Sequence, residues 1–312
     1  MNALARGWDW YFYQGYSGLS LGALRALFGG GMLLYHITQF IMLLILDPLG
    51  AHTYFVEPIW YFKVLNISTH VPWLNIPVFL LLMAATTFFM LGRWTKPAII
   101  VTVLCIFYLK GVRDSFSGDV HHRYVVLVSI LFLFYFSKCD YQFALDAKRK
   151  VNNKVKEWEA SWPIRAAQAY IVMFYFWAMI AKLRVTGWAW LDKGGQIQAK
   201  LLERSLRSGF DEYGELVRRG FSFELAYMVE IVWAIGILVA VFELAAPIVL
   251  IYRKRAILII FLAGAFIFHT ANFILLNVQF FMYPFVFFVF FNMAPFAIWF
   301  QRKYGAEKAL AN

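Results

Sequence analysis

Long apolar runs separated by short basic segments set the pattern of this chain. The runs fall near residues 21–46, 74–92, 97–112, 122–137, 163–182, 224–252, 257–276 and 279–300. Roughly 20 predominantly apolar residues suffice to cross a bilayer as a helix, so each run reads as a membrane span. A span must pair its own backbone groups inside hydrocarbon, and a single apolar segment of this length does so only as an α-helix. The expectation is therefore an all-α, polytopic transmembrane helical bundle of about eight spans, forming a single domain over residues 1–312.

Polar positions between the runs orient them. Arg93 and Lys96 follow the second run, and Lys138, Lys148, Arg149, Lys150, Lys154 and Lys156 follow the fourth. Arg253, Lys254 and Arg255 follow the sixth, while Arg302 and Lys303 follow the eighth. Basic residues concentrate in cytoplasmic loops, so these alternate loops predict both termini in the cytoplasm. One loop, residues 183–222, then lies outside despite Arg204, Arg207, Arg218 and Arg219. Within it Ile197 to Leu206 has helical apolar spacing, which predicts a helix lying flat at the surface. The N-terminal stretch holds Trp8, Trp10, Tyr11, Phe12, Tyr13 and Tyr16 with a single Arg. It reads as an interfacial aromatic segment before a retained first anchor, not as a cleaved signal peptide.

Composition supports the membrane class. The 312 residues are 62% hydrophobic, 20% aromatic and only 15% charged, too apolar for a soluble domain. A net charge of +11 raises the question of nucleic acid, but the cations sit between apolar runs and do not interleave with aromatics in one patch. The expected partner is the lipid bilayer, with no nucleic acid. Cys105 and Cys139 imply neither a disulfide framework nor a zinc site, and no metal is predicted.

Chemistry is sought where polar groups fall inside the runs. At about 1.5 Å per residue, sequence position translates to depth. His122 opens the fourth run, Lys182 closes the fifth, Glu230 lies near the outer start of the sixth, and His269 and Asn272 share a face of the seventh. These five groups from four helices gather in the outer half of the membrane, which marks a candidate site. Each also has a plainer role. Lys182 can snorkel to the interface, His269 can be a neutral core histidine, and Glu230 can simply pair with a cation. Glu243, in the inner half of the sixth run, is expected to bridge Arg165, with Gln168 as a further structural polar group. His36 is either a packed core group or, facing His269, a route to a haem.

Several chemistries lack their residues. The six histidines do not supply the spaced pairs of a dimetal desaturase, and the zincin, nucleophile-elbow and Walker A motifs are absent. What remains is proton chemistry in a dry pocket, where a desolvated lysine can serve as a base.

Three blocks carry a family resemblance. Trp162, Arg165, Gln168 and Tyr170 lead to Ala181-Lys182-Leu183 and Gly187-Trp188. His122-Arg-Tyr-Val-Val-Leu-Val leads to Cys139-Asp140-Tyr141 and Leu145-Asp146. Phe268-His269-Thr-Ala-Asn272-Phe-Ile-Leu-Leu runs on to Phe281-Met282-Tyr283-Pro284. In this order, from about residue 20 to 300, they resemble the HTTM superfamily, to which vitamin K-dependent γ-carboxylases belong. The resemblance implies an enzyme of the lyase class that uses a reduced quinone, a vitamin K-like hydroquinone, as cofactor. It casts Lys182 as the base that deprotonates the quinol, with His122, His269 and Asn272 orienting it or stabilising oxyanions. Glu230, Trp188 and Tyr283 would line the substrate site. The chain departs from the family in two ways. Ala181-Lys182-Leu183-Arg184 replaces the carboxylases' Lys-Lys-Leu-Asp, and the large extramembrane region that presents glutamate is missing. Two expectations follow: a membrane-embedded enzyme acting on a quinol or other lipophilic substrate in an outer-leaflet pocket, or a non-catalytic partner for maturation or export of a secreted peptide. In either case a second subunit could supply the missing recognition surface.

Overall fold

A computed structural model describes residues 15–46, 57–67, 72–117, 124–149, 154–193, 195–209, 221–252, 254–276 and 282–305. Every regular element among them is helical. The chain is a multi-pass membrane protein: among the described residues six helices are long and apolar enough to cross a bilayer, or seven if one bent pair counts as a span. The helices form two compact units, residues 1–167 with 282–312 and residues 168–281.

The first unit is built on α1 (Gly18–Leu46), α3 (Pro72–Leu91) and α4 (Thr95–Ser117), with the short α2 (Trp60–Val64) between the first two in sequence. Added to it are α5 (Val125–Phe136), the start of α6 (Glu157–Thr186), α12 (Tyr283–Val286) and α13 (Ala294–Gly305). Aromatic edges fill its centre: Phe28 meets Phe89 and Phe134 at ring separations of 6.5 and 5.7 Å. Basic residues at the helix ends do structural work. Arg25 donates to the carbonyls of Phe89 (2.6 Å), Met90 (2.9 Å) and Phe143, two of which belong to the last turn of α3, where no intrahelical N–H remains. Lys96 likewise donates to the carbonyls of Phe134 (3.1 Å), Tyr135 and Ser137 (2.5 Å), placing a cation at the negative end of α5. The loop lysine expected at position 96 is thus the second residue of α4 and a cap for its neighbour.

The predicted spans are adjusted in four places. The fourth run forms only the 12-residue α5. The fifth run continues as α6 to Thr186 and then as a 3-10 turn, Gly187–Trp190, since nothing breaks the helix before Gly187 at φ 59°. The sixth run divides at Met228, whose ψ of 65° is not helical. It gives α8 (Phe221–Tyr227) and α9 (Val229–Ala245), followed by α10 (Ile248–Ile251). The eighth run is no continuous helix: Pro284–Phe290 and Ala294–Tyr304 meet at 107°. At this bend Phe291 is extended, Asn292 accepts from the Ala294 N–H at 3.1 Å, and Ser20 accepts from the Met293 N–H at 3.0 Å.

The second unit holds the remainder of α6, α7 (Gln196–Gly209), α8, α9, α10 and α11 (Arg255–Leu276). The surface helix expected at 197–206 is α7. Its apolar stripe buries Leu201 against Leu225, Ala226 and Val232, with Ile197 and Leu202 packed alongside. Ser222 ties α8 to α11 by donating to the Leu275 carbonyl at 2.7 Å.

Candidate functional site

The second unit contains a polar core made by three helices. Lys182 of α6 points its ammonium at Glu243 of α9, with both carboxylate oxygens 2.6 Å away. The Lys182 side chain is 23% exposed and that of Glu243 only 1%. Aromatic faces enclose the cation: its Nζ lies 5.2 Å from the Trp190 ring centre and 5.9 Å from that of Phe268, within reach of cation–π attraction.

Packing explains why these two residues meet. The end of α6 with its 3-10 turn runs antiparallel to α9. Trp190 offers its backbone carbonyl beside Gly236, and the Leu191 carbonyl accepts from the Trp233 indole N–H at 2.8 Å. Continuing that register along α9 brings Glu243 level with Lys182. The span containing Glu243 runs from Val229 to Ile251, so the pair lies about 12 Å from its nearer end at 1.5 Å per residue. Lys182 is therefore not at the closing end of its span, and Glu243 is not at a separate depth. The bridge expected between Glu243 and Arg165 is replaced by this one, and the Arg165 guanidinium instead lies 4.6 Å above the Tyr16 ring.

A second polar pair shares the same aromatic wall. The Tyr175 hydroxyl and His269 Nε2 are 2.6 Å apart. Phe268 joins the two pairs, its ring 6.0 Å from Tyr175 and 5.2 Å from His269. Phe242 and Phe261 flank Tyr175 at 5.4 and 5.7 Å. A close ammonium–carboxylate pair and a phenol–imidazole pair thus both border one phenylalanine ring. Such an arrangement can hold, share or pass protons with little competition from water.

The other candidates fall elsewhere. Asn272 folds back on its own helix, donating to the Phe268 carbonyl at 2.8 Å. Glu230 is 71% exposed and pairs with Lys193 at 2.7 Å, while that lysine lies 5.3 Å from the Trp233 ring centre. Trp188 is exposed and Gln168 is buried. His36 belongs to the first unit, fully buried and stacked on Phe40 and Tyr124 at 6.1 Å each. His122 and the side chain of Tyr283 lie outside the described residues.

Tyr175 is the member that sequence reasoning passed over. Its signal was available, because position 175 precedes 182 by seven residues, close to two helical turns and hence the same face. Among the described residues no group of three His, Cys, Asp or Glu could hold a metal ion. Compared with protein-family models, with curated proteins and with solved structures, the chain matches none of them.

Proposed function

We propose that the protein is a membrane-embedded enzyme of HTTM type that moves a proton to and from a quinol or other lipophilic substrate through the Lys182–Glu243 pair. The observation that carries this reading is the contact of Lys182 Nζ with both Glu243 oxygens at 2.6 Å, well inside a membrane span and beneath aromatic rings. Ionisable groups at such depth are costly and commonly functional. A lysine must be neutral before it can act as a base. Glu243 is the acceptor placed to take its proton, so the pair and not the lysine alone is the proton-transfer unit. A substrate oxyanion reaching the amine would meet the Tyr175–His269 pair across Phe268, and these donors would stabilise it. In this reading both termini are cytoplasmic and the pair lies nearer the inner end of its span, with Asn272 assisting and Glu230 and Trp188 nearer the outer side.

The resemblance of the three sequence blocks supports a reduced quinone as the cofactor. The test is turnover: purified protein is given a reduced naphthoquinone under air, and quinol loss is followed above autoxidation. We expect Lys182→Met and Glu243→Gln each to lower the rate at least 100-fold while remaining monodisperse. Folded Lys182→Met protein with the wild-type rate would sink the proposal.

A second reading has its own support. In each polar pair the two side chains already meet one another, and interhelical polar contacts of this kind hold membrane bundles together at about 0.6–2 kcal/mol each. The protein would then be a non-catalytic partner in maturation or export of a secreted peptide. Absence of quinol turnover in every variant, with loss of peptide secretion on deleting the gene, would favour it.

A further inference from the structure

The first unit holds a cavity of about 610 Å³, none of whose lining residues belongs to the polar core described above or takes part in the proposed chemistry. Its walls come from α1 (Leu27, Gly30), α3 (Met90) and the two pieces of the bent eighth run (Phe285, Phe296, Phe300). The volume is within the roughly 300–1,000 Å³ of sites that take small lipophilic molecules. The walls are almost wholly apolar, with Gln301, Tyr304 and Arg25 also contributing to the lining.

Arg25 distinguishes this space from a packing gap. Its side chain is 1% exposed, and among the described residues its guanidinium donates to neutral acceptors, the carbonyls of Phe89, Met90 and Phe143. Its Nε has no hydrogen-bond partner among the described residues. Asp140 and Asp146 act on it through space, and neither forms an ion pair with it. A buried cation that is held by carbonyls, with its nearby carboxylates out of contact, at the edge of an apolar cavity attracts an anion attached to an apolar body. The cavity's size restricts that body. A methylene occupies about as much space as a water molecule in the liquid, roughly 30 Å³, so the cavity accommodates on the order of 20 chain carbons, one acyl chain and not two.

We infer that this cavity binds a long-chain fatty carboxylate, with its acyl chain against Met90, Phe285, Phe296 and Phe300 and its carboxylate drawn to Arg25. Gly30 controls the space. A Cβ built there first meets Met90 Sδ at 3.7 Å, an ordinary contact, so a larger side chain can be added without moving backbone and would fill the cavity. Substituting Arg25 itself would also uncap α3, which makes it the poorer probe.

The experiment uses the full chain purified in mild detergent and palmitate carrying a mid-chain photoreactive diazirine. Labelled peptides are expected to be those containing Met90 and residues 285–304, with at least tenfold less labelling by the matching palmityl alcohol probe. Excess oleate should compete, and phosphatidylglycerol should not. Gly30→Leu should lower labelling at least fivefold at an unchanged melting temperature. Equal labelling by acid and alcohol would overturn the role of Arg25, and competition by phosphatidylglycerol would overturn the single-chain occupant. Label spread over exposed apolar positions such as Ile259, Ile260 and Ile267 would mean detergent-like adsorption and end the proposal. Should Gly30→Leu fail to fold, the labelled positions on the unmodified chain decide alone.

Discussion

Tyr175 and Lys182 stand on one face of α6, and each grips a different helix: Tyr175 reaches His269 of α11, and Lys182 reaches Glu243 of α9. The face of α6 that a hydropathy reading assigns to packing is therefore a polar seam joining three helices. Its two contacts differ in kind, one between ions and one between neutral partners, and they respond differently to substitution.

Removing one half of the ion pair leaves the other charge unmatched in a span interior. Glu243→Gln and Lys182→Met should each destabilise the protein by about 3–5 kcal/mol, the cost typical of breaking a buried pair. The double variant Lys182→Met/Glu243→Gln removes both charges and should be more stable than either single one, a coupling that a double-mutant cycle reads directly. Thermal unfolding in a fixed detergent measures it. Strictly additive losses would mean that the 2.6 Å contacts carry no coupling.

Glu230 provides the control on the same helix. It pairs with Lys193, but both side chains are more than half exposed, and exposed pairs contribute about 0–1 kcal/mol. Glu230→Gln should shift the melting temperature little, in contrast to Glu243→Gln. A loss as large as that of Glu243→Gln would show that the 183–222 segment is held far more tightly than its exposure indicates.

These two glutamates show what was legible in the sequence and what was not. Apolar run length, read against bilayer thickness, located the long spans and the all-α class, and apolar spacing located α7. Polar groups inside runs pointed to Lys182 and His269, but depth did not place them, because apolarity closes the fifth run at 182 while its span runs on to Trp190. Pairing did not follow. Which carboxylate meets Lys182 depends on how far α6 continues before Gly187 and on the register it then keeps with α9, a tertiary quantity with no local signal. The bend in the eighth run did carry a local signal, since Asn292 and Pro295 interrupt the apolar run as a helix start does, and the break is fixed by Ser20 and Asn292 accepting from Met293 and Ala294.

Tyr175→Phe tests the neutral half of the seam. The ring contacts with Phe242, Phe261 and Phe268 persist, and only the hydroxyl opposite His269 Nε2 is lost. A neutral hydrogen bond contributes about 0.5–1.5 kcal/mol net, and somewhat more when its partner stays buried without a replacement. We expect a loss of about 1–2 kcal/mol in thermal unfolding. Quinol turnover should also fall at least tenfold, because the hydroxyl donor facing the substrate is lost. Unchanged turnover in a stable variant would confine Tyr175 to packing.

Cysteine reactivity reports on the first unit. Cys139 is fully buried, with Sγ 3.3 Å from the Phe134 carbonyl, and burial pushes its thiol above the usual range. Cys105 is also buried. The thiolate is the reactive form, so neither cysteine should be modified by maleimide within minutes at neutral pH in mild detergent. Two adducts should appear after denaturation in dodecyl sulfate. Rapid single labelling of the folded protein, mapped to Cys139, would show that the Lys96 and Arg25 end of this unit opens readily.

Gly92 and Gly187 both adopt positive φ, 70° and 59°, yet they predict different outcomes. Left-handed backbone costs a residue with a side chain about 1–2 kcal/mol, and at Gly187 nothing lies within 4 Å of an added Cβ, so Gly187→Ala should lose only that amount. At Gly92 the added carbon would sit 2.4 Å from the Ala144 Cβ and 2.5 Å from Arg25 Nη1, distances that no relaxed contact tolerates. Relieving them means moving the 143–145 segment or displacing the guanidinium from the carbonyls that end α3. Gly92→Ala should therefore cost clearly more than Gly187→Ala. It should also weaken fatty-acid labelling of the neighbouring cavity, since Phe143, Ala144 and Leu145 line it. Melting curves for the two variants, taken with the photolabelling yield, separate a strained turn from a displaced Arg25: equal losses at the two glycines, with labelling unchanged, would show that the Arg25 cap adjusts without cost.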